Sequence, residues 1–99
     1  MICTLTARRL KPGAYEAFRA AWDPGDDAAE VIARWHPIYH VRDVSDPDVI
    51  ISFGFFSGSL EELSGQQAQA GRGEQVARIA ETVEEVLLDG AYEVVEQLG

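Results

Sequence analysis

Two histidines four residues apart, His36 and His40, are the side chains of this chain best suited to moving a proton near neutral pH. On a helix that spacing would suit zinc, but Pro37 stands between them and argues against a helix interior. On a strand the two rings point the same way yet lie about 13 Å apart, too far to share a metal, so no metal site is expected. An imidazole beside aromatic surface could act as a base of tunable pKa or donate to a ligand carbonyl. Tyr39 adds a phenol between the two rings, which makes His40, His36 and Tyr39 the catalytic candidates. Trp22, Trp35, Phe53, Phe55 and Tyr92 could line a pocket for a flat aromatic molecule, and Arg42 could hold an oxyanion there. Arg8, Arg9 and Arg34 offer the same charge. Each residue also has a plain structural reading: a histidine bonded to backbone, aromatics filling the core or an interface, arginines solvated or paired with acids such as Asp43.

These residues are positioned by the stretch from His36 to Phe56, in which two β-like runs flank Ser45-Asp46-Pro47-Asp48. Pro47 presets a turn φ, and the Asp and Ser side chains can bond their own backbone, so the stretch predicts a hairpin. A four-residue loop with Val44 facing Val49 pairs His40 with Phe53, Ile38 with Phe55 and Tyr39 with Gly54. That register places His40 centrally among Phe53, Phe55 and Ile38; a slip of one residue would exchange the two faces.

Before the hairpin, Ile2 to Leu10 alternates as a strand, and Pro12 opens a helix carrying Tyr15, Phe18, Ala21 and Trp22 at helical spacing. Asp23 to Asp27 forms an acidic loop, and Ala28 to Trp35 is either a helical turn or the lead-in to the second strand. After the hairpin, Ser59-Leu60-Glu61-Glu62 resembles a capping box opening a short helix. Val76, Ile79, Ala80, Val83 and Leu87 then predict a helix with Glu74 and Arg78 as an exposed pair, stopped at Gly90, before a last strand over Ala91 to Leu98. The order β-α-β-β-α-β is the ferredoxin-like α+β pattern, a four-stranded antiparallel sheet with both helices on one face. The other face would be a large apolar patch, which predicts a homodimer.

The 99 residues suffice for one domain, 1–99. A net charge of -9, with nine carboxylates opposed only by Arg72 and Arg78 past Phe56, excludes nucleic acid and anionic membrane as partners. The arginines near the N-terminus follow a short alternating run, the reverse of a secretory signal, and no apolar run approaches membrane-spanning length, so a cytoplasmic protein is expected. Cys3 is the only cysteine and reads as a small buried hydrophobe. Asp23 to Asp27 lacks the oxygen spacing of a calcium loop, and Gly71-Arg72-Gly73 lacks a phosphate-loop lysine.

The opening strand with Lys11-Pro12-Gly13 and its aromatic helix, the Asp46-Pro47-Asp48 turn, the strand Ile50 to Phe56 and the helix from Leu60 together resemble the dimeric α+β barrel superfamily, nearest to antibiotic-biosynthesis-monooxygenase-like domains. The resemblance covers nearly the whole chain and implies architecture more than chemistry. It disfavours the haem-degrading branch, which would imply an Asn, a Trp and a His after the third strand; this chain has no Asn and no His beyond His40. It implies a homodimer with a small, mostly apolar pocket between sheet and helices in each subunit, acting without cofactor on a phenol- or anthrone-like substrate that is deprotonated and then reacts with oxygen itself. The alternative is a non-catalytic ligand-binding or stress-associated dimer.

Overall fold

The computed structural model describes residues 1–23, 35, 37–69 and 71–99, with the side chain of residue 69 left aside. His36, Arg34 and the run preceding Trp35 therefore lie outside the described residues. The described elements are β1 (Ile2–Leu10), α1 (Tyr15–Trp22), β2 (Tyr39–Arg42), β3 (Val49–Phe56), α2 (Leu60–Gln69), α3 (Arg72–Ala80) and β4 (Val83–Glu93). The strands make one antiparallel sheet in the order β2-β3-β1-β4. This is the expected α+β ferredoxin-like arrangement, with the short helix expected after Ser59 standing between β3 and α3.

Alternation along β1 and β3 sorts the sheet into two faces. Leu10 and Ile50 point beneath the helices and form the core with Phe18 of α1 and Ile79 of α3, joined by Tyr15, Trp22 and Val83. The opposite face carries Leu5, Ala7, Ile51, Phe53 and Phe55, flanked by Tyr39, Val41, Leu88 and Tyr92. Tyr39 and Leu88 there are each 50% exposed. No described helix is long and apolar enough to cross a membrane.

The hairpin forms where expected, but its register is shifted by one residue: Tyr39 pairs with Phe53 and His40 with Ser52. The cause lies in the loop. The Asp43 carboxylate accepts from the Ser45 amide at 2.7 Å while the Asp43 amide already bonds the Val49 carbonyl at 3.0 Å, so the loop runs over five residues. Val44 is thrown fully into solvent, 104% exposed, instead of facing Val49. His40 consequently points beneath the helices, away from Phe53 and Phe55, and Tyr39 points to the open face.

Gly54 does make room for aromatic surface, though under a different residue from the expected Tyr39. A Cβ there would stand 2.9 Å from Ile38 Cγ1 and 3.3 Å from Trp35 Cε3, because the Trp35 side chain lies over the strand and its backbone bridges to Phe56.

The last helix is shorter than its apolar stripe predicted. It ends at Ala80 because the Thr82 amide and hydroxyl both donate to the Ile79 carbonyl, at 2.9 and 2.7 Å, closing the helix before the β-branched Val83. Val83 to Glu93 then pairs along β1, with register shifts between Ala7 and Arg8 and between Arg9 and Leu10. Val83 and Leu87 stand four apart, a spacing that fits the period of a strand as well as that of a helix. Gly90 is an interior strand residue over which the Tyr92 ring folds, not a helix stop, and the strand ends at Glu93 rather than Leu98. Arg78 does not pair with Glu74 as expected; it donates to the carbonyls of Ala21 and Asp23 at the end of α1, at 3.2 and 3.3 Å. The Ser59–Glu62 capping box forms as read, with reciprocal bonds of 3.2 and 3.1 Å.

Candidate functional site

The space between sheet and helices is not filled. A cavity of about 320 Å³ opens over the centre of the covered face. Its apolar walls come from Trp22, Trp35, Ile38, Leu60, Leu63 and Val76. The floor is polar because β1 presents Thr4, Thr6 and Arg8 on this face, an alternation that also selects Ser52 on β3 and Asp89 on β4.

The strand registers align three of these polar residues in one row with His40 across the sheet: His40 pairs with Ser52, Ser52 with Thr6, and Thr6 with Asp89. His40 Nδ1 lies 2.7 Å from Ser52 Oγ, and the Thr6 hydroxyl donates to Asp89 Oδ1 at 3.0 Å. The His40 ring is held edge-on by Phe18 and Trp22, with centroids at 5.4 and 4.7 Å and interplanar angles of 83° and 89°. Burial lowers the His40 pKa below the usual imidazole value, and the charges of Arg19 and Arg8 push in the same direction. A neutral imidazole with Nδ1 as acceptor takes the Ser52 hydroxyl proton as its hydrogen bond, leaving Ser52 Oγ to accept from the cavity side.

Beside this row lies a cationic corner. Arg8 is 4% exposed, with its guanidinium over the Phe18 ring at 5.4 Å. Its pKa is pushed down to about 10 by burial, with the charge of Arg72 adding and that of Asp89 opposing. Burial also lowers the Arg72 pKa, again opposed by Asp89. Arg72 Nη1 donates to Gln75 Oε1 at 2.6 Å, and Gln75 Nε2 in turn donates to the Trp22 carbonyl, so α1 and α3 fix the Arg72 side chain together. Among the described residues, Arg8 Nη1 and Gln66 Oε1 are buried without a hydrogen-bond partner.

Of the residues singled out from sequence, Trp22, Trp35 and Phe53 line the cavity, while the Phe53 ring itself stacks on Tyr39 across the sheet at 5.3 Å. His40 reaches the cavity through Ser52. His40 and Arg42 also border a smaller hollow of about 180 Å³ at the sheet edge, where the Arg42 guanidinium lies over the Tyr15 ring at 5.1 Å. Tyr39, Phe55 and Tyr92 are carried to the opposite face, a result of the shifted hairpin and of the pleat of β4. Sequence reasoning missed Arg72, Asp89, Gln66 and Gln75, which come from distant elements. The signal that could have found part of the site was a strand alternating Thr4, Thr6 and Arg8 on the very face that a helix must cover.

The sequence matches no protein-family model and no curated protein. Solved structures do match. A candidate antibiotic biosynthesis monooxygenase of Deinococcus radiodurans superposes with a TM-score of 0.75 at 14% identity, over 100% of this chain and 97% of that one. A second such protein, from Chloroflexus aurantiacus, gives 0.72 at 16% identity over 99% and 96%. A NIPSNAP domain protein of Burkholderia xenovorans gives 0.62 at 12% identity over 100% and 99%. At such identities the likeness is one of fold, and the fold of this chain is that of the antibiotic-biosynthesis-monooxygenase-like domains.

Proposed function

We propose that residues 1–99 form one domain that acts as a homodimeric, cofactor-independent monooxygenase on a small phenol- or anthrone-like substrate. The observation that carries this reading is the His40–Ser52 hydrogen bond at the floor of an aromatic-walled cavity. A substrate carbon or hydroxyl made acidic by its rings gives its proton to Ser52 Oγ as the Ser52 proton passes to His40 Nδ1. The resulting anion transfers electrons to dissolved dioxygen and forms a carbon–oxygen bond. The peroxide regains a proton from His40 by the same route, then loses water to leave a ketone. In sum, a CH2 group and O2 become C=O and H2O, so no external reductant is consumed. The tryptophan walls keep bulk water from the anion and from the peroxide.

The homodimer forms through the open sheet face, where Tyr39, Val41, Leu88 and Tyr92 would otherwise leave contiguous apolar surface in water. Oxygen-electrode measurements with a panel of anthrones and naphthols, followed by mass analysis of products formed under isotopically labelled oxygen, test the reaction. One labelled oxygen per product without added flavin or metal is the expected result. Panel members that bind in the cavity yet never consume oxygen would establish a binding protein instead.

A further inference from the structure

We infer that the cavity holds an anion seat built from Arg8 and Arg72, and that its ligand is a small aromatic carrying one carboxylate. This rests on the reading of the cavity as an aromatic-substrate site and specifies what the substrate must bear. The seat is assembled from separate parts of the fold: Arg8 from the C-terminal half of β1, Arg72 from the first turn of α3, Asp89 from β4 and Gln66 from α2.

Two observations lead to a carboxylate. The Arg8 side chain is more than nine-tenths buried, lines the cavity and keeps Nη1 unbonded among the described residues, an arrangement whose desolvation cost a ligand acceptor would offset. Arg8 and Arg72 line the cavity together with one carboxylate, Asp89, whose Oδ1 is already engaged by the Thr6 hydroxyl, so the lining carries one positive charge in excess. One monoanion balances that excess, whereas a phosphate dianion would overshoot it. A carboxylate also offers two oxygens in a plane, the shape that guanidinium donors match. Gln66 Oε1, buried and unpartnered, supplies an acceptor for a hydroxyl on the same ligand. Trp22 and Trp35 give the ring its faces.

Trp22 and Trp35 are the only tryptophans, and both line the cavity, so quenching of their fluorescence reports its occupancy. The probes are 1-hydroxy-2-naphthoate and its uncharged amide, 1-hydroxy-2-naphthamide, which share ring and shape. The full chain should bind the acid at least about tenfold more tightly than the amide, with the preference shrinking as salt rises. Arg72→Gln should lower acid affinity about tenfold, to the level of the amide, while leaving amide affinity unchanged. Arg8→Gln should do the same wherever circular dichroism shows it folded; if it does not fold, Arg72→Gln alone decides. Equal affinity for acid and amide in the unmodified protein, or an undiminished preference in folded Arg72→Gln, overturns the seat while the aromatic pocket stands. Failure of both probes to bind overturns the seat and the aromatic pocket together.

Discussion

His40 and Asp89 stand at opposite ends of one polar row, separated by three strand-to-strand steps and connected in register by Ser52 and Thr6. At about 4.8 Å per step the two groups are roughly 14 Å apart, too far to act on one proton. The imidazole is coupled to the cavity through a hydroxyl, and the carboxylate is held by another. Ser52→Ala should therefore leave the fold intact and lower kcat/KM about 10²-fold, the usual worth of a positioned proton acceptor. His40→Gln should produce a similar loss. Full activity in a folded Ser52→Ala protein would remove the relay from the mechanism.

Acidity supplies a second check on the same imidazole. Its pKa in the folded chain lies below the usual 6.5 because burial and two nearby arginines disfavour the charged form. Activity that needs neutral His40 should thus persist to a lower pH than an ordinary imidazole would allow and fall as pH drops through the depressed value. Stability follows the same direction. The unfolded chain binds the proton first, so the contribution of His40 is complete above about 6.5 and is lost as pH falls through the folded value. Melting curves between neutral and mildly acidic pH should show this slope, and His40→Gln should flatten it.

Gly54 tests the packing above the cavity. A Val side chain at this position would place its Cβ at a distance that requires the Ile38 side chain to shift and presses on the Trp35 ring. Overpacking of this kind should cost about 1–3 kcal/mol. The corresponding fall in Tm, about 4–8 °C per kcal/mol for a chain of this size, is readily seen by circular dichroism. An unchanged melting curve would mean that Ile38 and Trp35 do not pack over Gly54.

The open face is tested by mass. Light scattering at micromolar concentration should return twice the mass of the chain, and Leu88→Glu combined with Tyr39→Glu should return a single chain. A monomeric mass for the unmodified protein would mean that the apolar face is tolerated in water.

How far the sequence went depended on the range of the interactions. Short-range chemistry was readable: the Ser59–Glu62 capping box and the Asp46 turn formed from neighbours in the chain, and the alternation of β1 marked it as a strand without naming its partners. The Asp46 carboxylate bonds the Asp48 amide at 3.1 Å as turn residues should. What failed was counting. One extra loop residue at Val44 moved His40 from one face to the other, since a strand has a side-chain period of two. The helix predicted through Leu87 failed because a spacing of four fits a strand as well as a helix, and only pairing with β1 tells the two apart. Asp89 was beyond reach for another reason: its partner Thr6 lies 83 residues away, and no local pattern marks a contact of that span.

The outer strand β4 carries Glu84, Glu85 and Glu93 along a border of the sheet that, among the described residues, pairs on one side only, and its line is broken twice by register shifts. A second copy approaching along that border meets like charge and a kinked template, so strand-by-strand growth into a ribbon is blocked. The shield is made of carboxylates and is only as durable as their ionisation. Near the isoelectric point of about 4.5 the repulsion fades. Acid storage of this protein should accordingly favour fibrous or amorphous deposits, which turbidity measured between neutral pH and the isoelectric point checks.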